Sequence, residues 1–199
     1  MATIRPAELK GNWVKGFALD VHTVSSDFLG DDQYGHPHFD TKRSPLGELL
    51  YRLKFKSDKS VLDEITTTVV DFLTTTWNIT SRLQFLVPVP PSNLDRAFQP
   101  VIEIAIKMSA ELGLPLSLDS LVKTSETPEL KDIDDHDKRK SILEKVFKIK
   151  NICVKGNNIL LFDDLYRSGA TLNVATKVLY NVRVNDVYVL TLTRTRSKR

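Results

Sequence analysis

Cysteine is nearly absent from this chain: Cys153 is the only one in 199 residues. A single thiol cannot form an intrachain disulfide, and it cannot build a Cys-rich zinc module. A reducing compartment is the expectation. Cys153 lies in the apolar run Ile152-Cys153-Val154 and reads as a small buried hydrophobe rather than a nucleophile. Long apolar runs are missing as well. None approaches the roughly 20 residues that a membrane-crossing helix needs. The start, Met1-Ala2-Thr3-Ile4-Arg5-Pro6, has no apolar signal-peptide core. A soluble cytoplasmic protein with no membrane association is expected. Charge of one sign is not in large excess either: 28 Lys and Arg stand against 25 Asp and Glu, a net +3. That falls short of a dedicated nucleic-acid binder. The charge is uneven, with acids crowding residues 132–137 and Arg194, Arg196, Lys198 and Arg199 crowding the end. This basic end reads first as solvated, with nucleic-acid contact as the alternative.

What is present suits an α/β domain. The chain is 41% hydrophobic, enough for a core without staples. Residues 13–24 read as strand, and the polar, Gly- and Pro-containing residues 25–45 as loop. Ser44-Pro45 opens a helix, with Leu46, Leu49, Leu50 and Leu53 at helical spacing. A second helix is expected over residues 60–76, with Val61, Ile65, Val69 and Phe72 inward. Residues 83–89 form an apolar run without alternation, as in a strand buried on both faces. Helix resumes from about residue 98 or 100 to Leu112 and is closed by Gly113, and residues 114–121 are extended. The polar residues 123–138 are a long loop of the kind that serves as a lid. The clearest unit is last: a strand over residues 158–162, a turn, a helix over residues 170–182, and a strand over residues 187–193. That pattern predicts a right-handed βαβ crossover in a parallel sheet. No linker forces a second unit, but residues 1–80 differ in flavour and are expected as an N-terminal hood on a core of residues 81–199.

The chemistry concentrates in the run from Asp163 to Thr171. In open parallel sheets ligands bind beyond the carboxyl ends of the strands, and Asp163-Asp164 lies at such an end. Adjacent carboxylates there can accept hydrogen bonds from vicinal ribose hydroxyls or hold a hydrated magnesium ion. The main-chain N–H groups of Tyr166, Arg167, Ser168, Gly169, Ala170 and Thr171 can then converge on a phosphate at the start of the next helix. Gly169 permits close approach, and Ser168 and Thr171 add hydroxyls. The plain reading is that the acids end a strand and Ser168 caps a helix. It leaves their fixed spacing from a Gly-hydroxyl turn unexplained. The run is neither a Walker loop nor a dinucleotide fingerprint.

The segment Leu160-Leu161-Phe162-Asp163-Asp164-Leu165-Tyr166-Arg167-Ser168-Gly169-Ala170-Thr171-Leu172 resembles the PRPP-binding motif of type I phosphoribosyltransferases. Residues 86–195 more narrowly resemble the competence protein F (ComF) branch. The matching pieces are Val87-Pro88-Val89-Pro90, Arg96-Ala97-Phe98, Lys123 with Thr127-Pro128, Arg139 upstream of Phe147, and Leu190-Thr191-Leu192-Thr193-Arg194. A fainter echo runs from Ser44-Pro45-Leu46-Gly47-Glu48 to Lys54-Phe55.

The resemblance implies a type I phosphoribosyltransferase fold, with a five-stranded parallel core sheet under a hood. It also implies PRPP, or a nucleoside monophosphate, bound with Mg2+. Asp163 and Asp164 would hold the ribose and the magnesium, directly or through water, and would be the catalytic acids. Residues 166–171 would hold the 5-phosphate. Ser92, Arg96, Lys123 and Arg139 would meet pyrophosphate from the loop after Pro90 and from the lid. Arg167 replaces a usual hydroxyl residue, and Pro91-Ser92-Asn93, Asp95, Ala97 and Ile142 depart from the family pattern. Pyrophosphate binding therefore rests on fewer matching residues than phosphate binding.

Three functions stay open. One is transfer of phosphoribose to a base or amine. The second is non-catalytic binding of PRPP or a nucleotide. The third is a DNA-uptake accessory role with single-stranded DNA as partner. Relatives that dimerise leave a homodimer open. Among other residues, His22, His36 and His38 invite a metal reading, with His36-Pro37-His38 and Asp40 as a short cluster, but sequence shows no convergence of ligands. His136 reads as solvated within the lid. Trp13 and Trp77 read as core, and Lys54 and Lys56, flanking Phe55, as a solvated helix end with a role near the ligand as the alternative.

Overall fold

The computed structural model describes residues 1–91, 98–124 and 146–196. In chain order its strands are β1 (Ala7–Glu8), β2 (Lys15–Val21), β3 (Thr23–Asp31), β4 (Pro37–Arg43), β5 (Phe85–Pro88), β6 (Leu121–Lys123), β7 (Phe147–Ile149), β8 (Ile159–Tyr166) and β9 (Val187–Arg194). The helices are α1 (Pro45–Phe55), α2 (Leu62–Asp71), α3 (Pro100–Leu112) and α4 (Ala170–Asn181). The central sheet has the order β1-β2-β9-β8-β5. β2, β9, β8 and β5 run parallel, and β1 is an antiparallel edge. Beyond β5 there is a single parallel bridge, Leu86 to Leu116. The sheet thus has the expected five strands, with β1 as the antiparallel member. From the first 80 residues, β2 lies inside the sheet, bonded to β9.

Side chains alternate across a strand, and that alternation sorts the core into two layers. Leu160, Phe162, Leu190 and Leu192 face α1, α2 and α3 together with Leu19, Leu50, Ile65, Ile104 and Met108. Ile159, Leu161, Val187 and Val189 face the opposite way, toward α4, β7 and the residues Leu172, Ala175 and Leu179. Apolar residues on both sides of the same strands explain why the sequence shows unbroken runs there rather than alternation.

Residues 25–45, expected as a loop, instead form the antiparallel hairpin β3–β4, with Phe28 opposite Phe39 and Ser26 opposite Thr41. The Asp32 carboxylate closes the turn by accepting the N–H groups of Tyr34 and His36 at 2.8 and 2.9 Å. The ribbon is exposed on both sides, so its polar composition hid it: cross-strand pairs, rather than an apolar face, hold it together. The expected second helix is less regular than its spacing suggested. It begins as a 3-10 turn (Lys59–Val61), and after α2 it widens into one π turn over Phe72–Thr76. Trp13 and Trp77 pack into the core as expected. Cys153 does not: it is exposed, against the expectation from its apolar neighbours, of which only Val154 turns inward.

The crossovers fix where a ligand can sit. From β5 the chain passes through α3 on one face to reach Leu116 on the far side of β5. From β8 it passes through α4 on the other face to reach β9. The sheet is therefore wound in opposite directions on either side of the β5–β8 boundary. A crevice opens beyond the carboxyl ends of the strands at such a reversal. α1 is pinned close by. Its cap, Ser44, accepts the Gly47 N–H at 3.0 Å and donates to the Val21 carbonyl at 2.5 Å, at the end of β2. Gly47 slides beneath the His22 carbonyl, where an added Cβ would stand 2.3 Å from the oxygen. That contact is with backbone, which cannot swing away. Gly47→Ala is expected to destabilise the fold by about 2 kcal/mol, in the range of overpacking, and a lowered urea midpoint with unchanged slope is the result that checks it.

Candidate functional site

β8 carries its apolar residues as far as Phe162 and then turns polar. Asp163 and Asp164 follow one another on a strand, so their side chains leave opposite faces. Asp163 lies opposite Thr191 of β9, on the α4 side. The Thr191 hydroxyl is buried and meets no partner among the described residues. Asp164 points to the other face, where Lys54 of α1 meets it: Nζ to Oδ2 is 2.6 Å, with the side chains 28% and 12% exposed. This contact joins residues 110 positions apart. It places Lys54 in the site, the reading that the sequence held as secondary to a solvated helix end.

Around this pair the charges are mostly positive. His22, at the end of β2, has its Nδ1 3.3 Å from the Thr193 hydroxyl, which in turn donates to the Asp164 carbonyl at 3.3 Å. That arrangement puts the proton of a neutral ring on Nδ1. Burial lowers the His22 pKa, and Arg43 and Lys54 lower it further while Asp164 opposes them, so the ring is neutral at pH 7. On the other face Lys123 of β6 is drawn down by burial and held up by Asp163. Asp163 itself is pushed up to about 7, first by burial and then by the Asp164 charge beside it, while the Asp164 N–H, Lys54 and Lys123 pull the other way. At neutral pH it exchanges a proton readily, which Asp163 as a surface carboxylate would not do.

The turn after β8 is built to expose main-chain donors. Its carbonyls are tied back: Tyr166 accepts from the Thr195 N–H at 2.9 Å, Arg167 from the Thr195 hydroxyl at 3.4 Å, and Gly169 from both the N–H and the side-chain amide of Asn173 at 2.9 and 3.0 Å. The Asn173 side-chain oxygen meanwhile takes the Asn12 N–H, tying the turn to the N-terminal segment. By contrast the N–H groups of Arg167 to Thr171 meet no acceptor among the described residues. Arg167, Ser168 and Thr171 are exposed, and Gly169 is buried with φ +77°. A Cβ there would stand 2.8 Å from the Tyr166 hydroxyl, so the glycine lets the ring of Tyr166 fold over the turn. Free N–H groups at the start of α4 suit an oxyanion.

The sequence-derived set is thus brought together in part. Asp163, Asp164, residues 166–171 and Lys123 surround the carboxyl end of β8. Ser92, Arg96 and Arg139 lie outside the described residues, as do His136, Lys198 and Arg199. His36, from the suspected metal cluster, pairs with Asp32 at 3.4 Å on the exposed hairpin, and no group of three ligating side chains converges among the described residues. At the acidic pair Asp164 is already held by the Lys54 ammonium, so as they stand these residues do not fit a magnesium ion ligated by the protein. His22, which the sequence offered only as a metal ligand, lies at the end of β2 and is brought by the fold to Thr193 and the Asp164 carbonyl; Arg43, at the end of β4, carried no signal in the sequence and acts on His22 while pairing with Glu48 at 3.3 Å.

No family model matches the sequence, and no curated protein matches it. Solved structures do resemble it. The glutamine phosphoribosylpyrophosphate (PRPP) amidotransferase from B. subtilis complexed with ADP and GMP is similar with a TM-score of 0.51 at 15% identity, covering 80% of this chain and 34% of that one. Phosphoribosylpyrophosphate synthetase from Mycobacterium smegmatis gives a TM-score of 0.45 at 16% identity, over 67% of this chain and 34% of that one. Purine phosphoribosyltransferase from Pyrococcus horikoshii Ot3 gives 0.41 at 15% identity, over 68% and 83%. The chain spans about a third of the length of the first two. The amidotransferase likeness establishes the fold, an α/β type I phosphoribosyltransferase fold with a mostly parallel central sheet and flanking helices. No helix among the described residues is long and apolar enough to cross a membrane.

The raised Asp163 pKa has a consequence for stability. The folded state holds the proton more tightly than the unfolded chain, whose value is near 3.8. The stabilisation from protonated Asp163 is complete below about pH 3.8 and is lost as the pH rises through about 7. Urea unfolding between pH 5 and pH 8 should show a decline in the wild type that Asp163→Asn removes, on the order of a few kcal/mol. Equal pH slopes for the two proteins would show that Asp163 titrates as an ordinary carboxyl.

Proposed function

We propose that this chain binds a 5-phosphoribosyl 1-diphosphate type ligand at the switch point beside β8 and transfers its phosphoribosyl group to a base or amine. The observation that carries this reading is the turn after β8: carbonyls tied back, N–H groups of Arg167 to Thr171 open, and two acids at its entry. A phosphate monoester fits such a set of donors because they and the helix start both favour negative charge. Asp163 and Asp164, at the end of β8 just before this turn, can accept the hydroxyl donors of a sugar. Arg167, exposed at the turn, adds a cation where the family pattern has a hydroxyl. The ComF-like branch is proposed on the same run together with Val87-Pro88-Val89-Pro90 and Leu190-Thr191-Leu192-Thr193-Arg194.

In the reaction the bond from C1 of ribose to the diphosphate oxygen breaks, and its electron pair leaves with the diphosphate. Positive charge develops on the ring, as in glycoside hydrolysis. A nitrogen of the acceptor forms the new bond to C1 and gives up its proton. The protein's contribution is electrostatic: the carboxylates favour the cationic sugar, and the nearby cations favour the departing anion. Neutral His22, half-buried beside Asp164, is placed to take the acceptor's proton.

A second reading, non-catalytic binding of PRPP or a nucleoside monophosphate, draws on one observation. Asp164 already has a resident partner in Lys54 and so is less available to a reacting sugar. For the DNA-uptake role, Arg196 turns back to donate to the Val24 carbonyl and is engaged by the protein itself.

Calorimetry with PRPP and, separately, ribose 5-phosphate tests the site. Asp163→Asn with Asp164→Asn is expected to weaken PRPP binding at least tenfold, about 1.4 kcal/mol or more, while sparing the fold. Unchanged affinity would rule out a ribose role for the two acids. Gly169→Val forces a branched side chain into a left-handed position against Tyr166. It is expected to lower affinity for ribose 5-phosphate and PRPP alike, by tenfold or more. Equal binding by this variant would remove the phosphate from the turn. Pyrophosphate release with a panel of bases and amines then separates transfer from binding alone: release that depends on the acceptor supports transfer, and binding without release supports the second reading.

A further inference from the structure

We propose that Lys54 is the resident counter-ion of the acidic pair, holding the position that a divalent cation would otherwise take, so that the free protein binds no divalent metal at Asp163 and Asp164. The inference is about the protein's own residues and does not depend on the phosphoribosyl reading of the site.

Three observations carry it. First, Lys54 Nζ lies 2.6 Å from Asp164 Oδ2, the distance of a full charge-assisted hydrogen bond. The two side chains are 28% and 12% exposed, so water screens the pair only in part. Second, the approach is built from the fold. α1 is anchored by Ser44 and Gly47 to the end of β2, and its buried stripe of Leu46, Leu49, Leu50 and Leu53 sets its rotation. Lys54, one residue beyond the last of these leucines, is carried to the end of β8. Third, Lys54 is not the only cation there. His22 feels Arg43, Lys54 and Arg167 together. A metal ion arriving at Asp164 would have to displace the ammonium, in surroundings whose field at His22 is already positive. The chain has solved the repulsion between neighbouring acids with a covalently tethered charge instead of an ion from solution.

Manganese titration followed by the paramagnetic resonance of the unbound ion reads this directly, with no sugar or phosphate present. The wild type is expected to leave the free-ion signal unchanged through the low millimolar range. Lys54→Met keeps the apolar stem and removes the charge. It should acquire one site at least tenfold tighter than any in the wild type. Lys54→Met with Asp164→Asn should lose that site again, and Lys54→Arg should behave as wild type. Near-ultraviolet circular dichroism confirms that each variant is folded. Two results would overturn the proposal: a wild-type site that Asp164→Asn abolishes, or a folded Lys54→Met protein that gains none. Because the titration contains no PRPP, its failure leaves the calorimetric test of the phosphoribosyl site standing, and the reverse holds too.

Discussion

β8 is hydrogen-bonded to β5 on one edge and to β9 on the other, and it is covered on both faces. A strand so enclosed has no room for an unpaired polar side chain, and the run from Ile159 to Phe162 is entirely apolar and fully buried. Polar chemistry can begin only where the cover ends, at Asp163. The placement of the acids, the turn and the helix N-terminus all follow from that single limit. The opposite winding on either side of β5 and β8 puts a topological switch point at the same place, where open sheets of this kind bind ligands.

The site is held by contacts between distant parts of the chain. α1 supplies Lys54, β2 supplies His22, and Thr193 of β9 joins His22 to the Asp164 carbonyl. Asn173 ties the turn after β8 to Asn12. The N-terminal third therefore both contributes a strand to the sheet and fixes the charges over its carboxyl edge. An N-terminal segment that only covered the site could move away from it freely; one whose strand is bonded to β9 cannot.

The electrostatic pattern is asymmetric in a useful way. Asp164 is matched by an ammonium at contact distance, whereas at half-buried Asp163 desolvation and the neighbouring Asp164 charge raise the pKa to about 7. Environment, and not residue type, gives Asp163 its exchangeable proton near neutral pH.

Read alone, the sequence determined the apolar strands, the start of α1 at Ser44-Pro45, the closure of α3 by Gly113, and the acid–glycine turn before α4. All of these are signals carried within a few residues, by periodicity, capping and turn chemistry. It misjudged the β3–β4 hairpin, whose pairing has no apolar face to mark it, and the exposure of Cys153, whose neighbours are apolar but whose side chain turns outward. Only the tertiary structure decided that Lys54 belongs to the site, that the two acids diverge, and that β2 enters the central sheet. Those facts depend on groups as much as 110 residues apart meeting in space. Local pattern carries no record of which distant charge will arrive, because that is set by how whole elements pack.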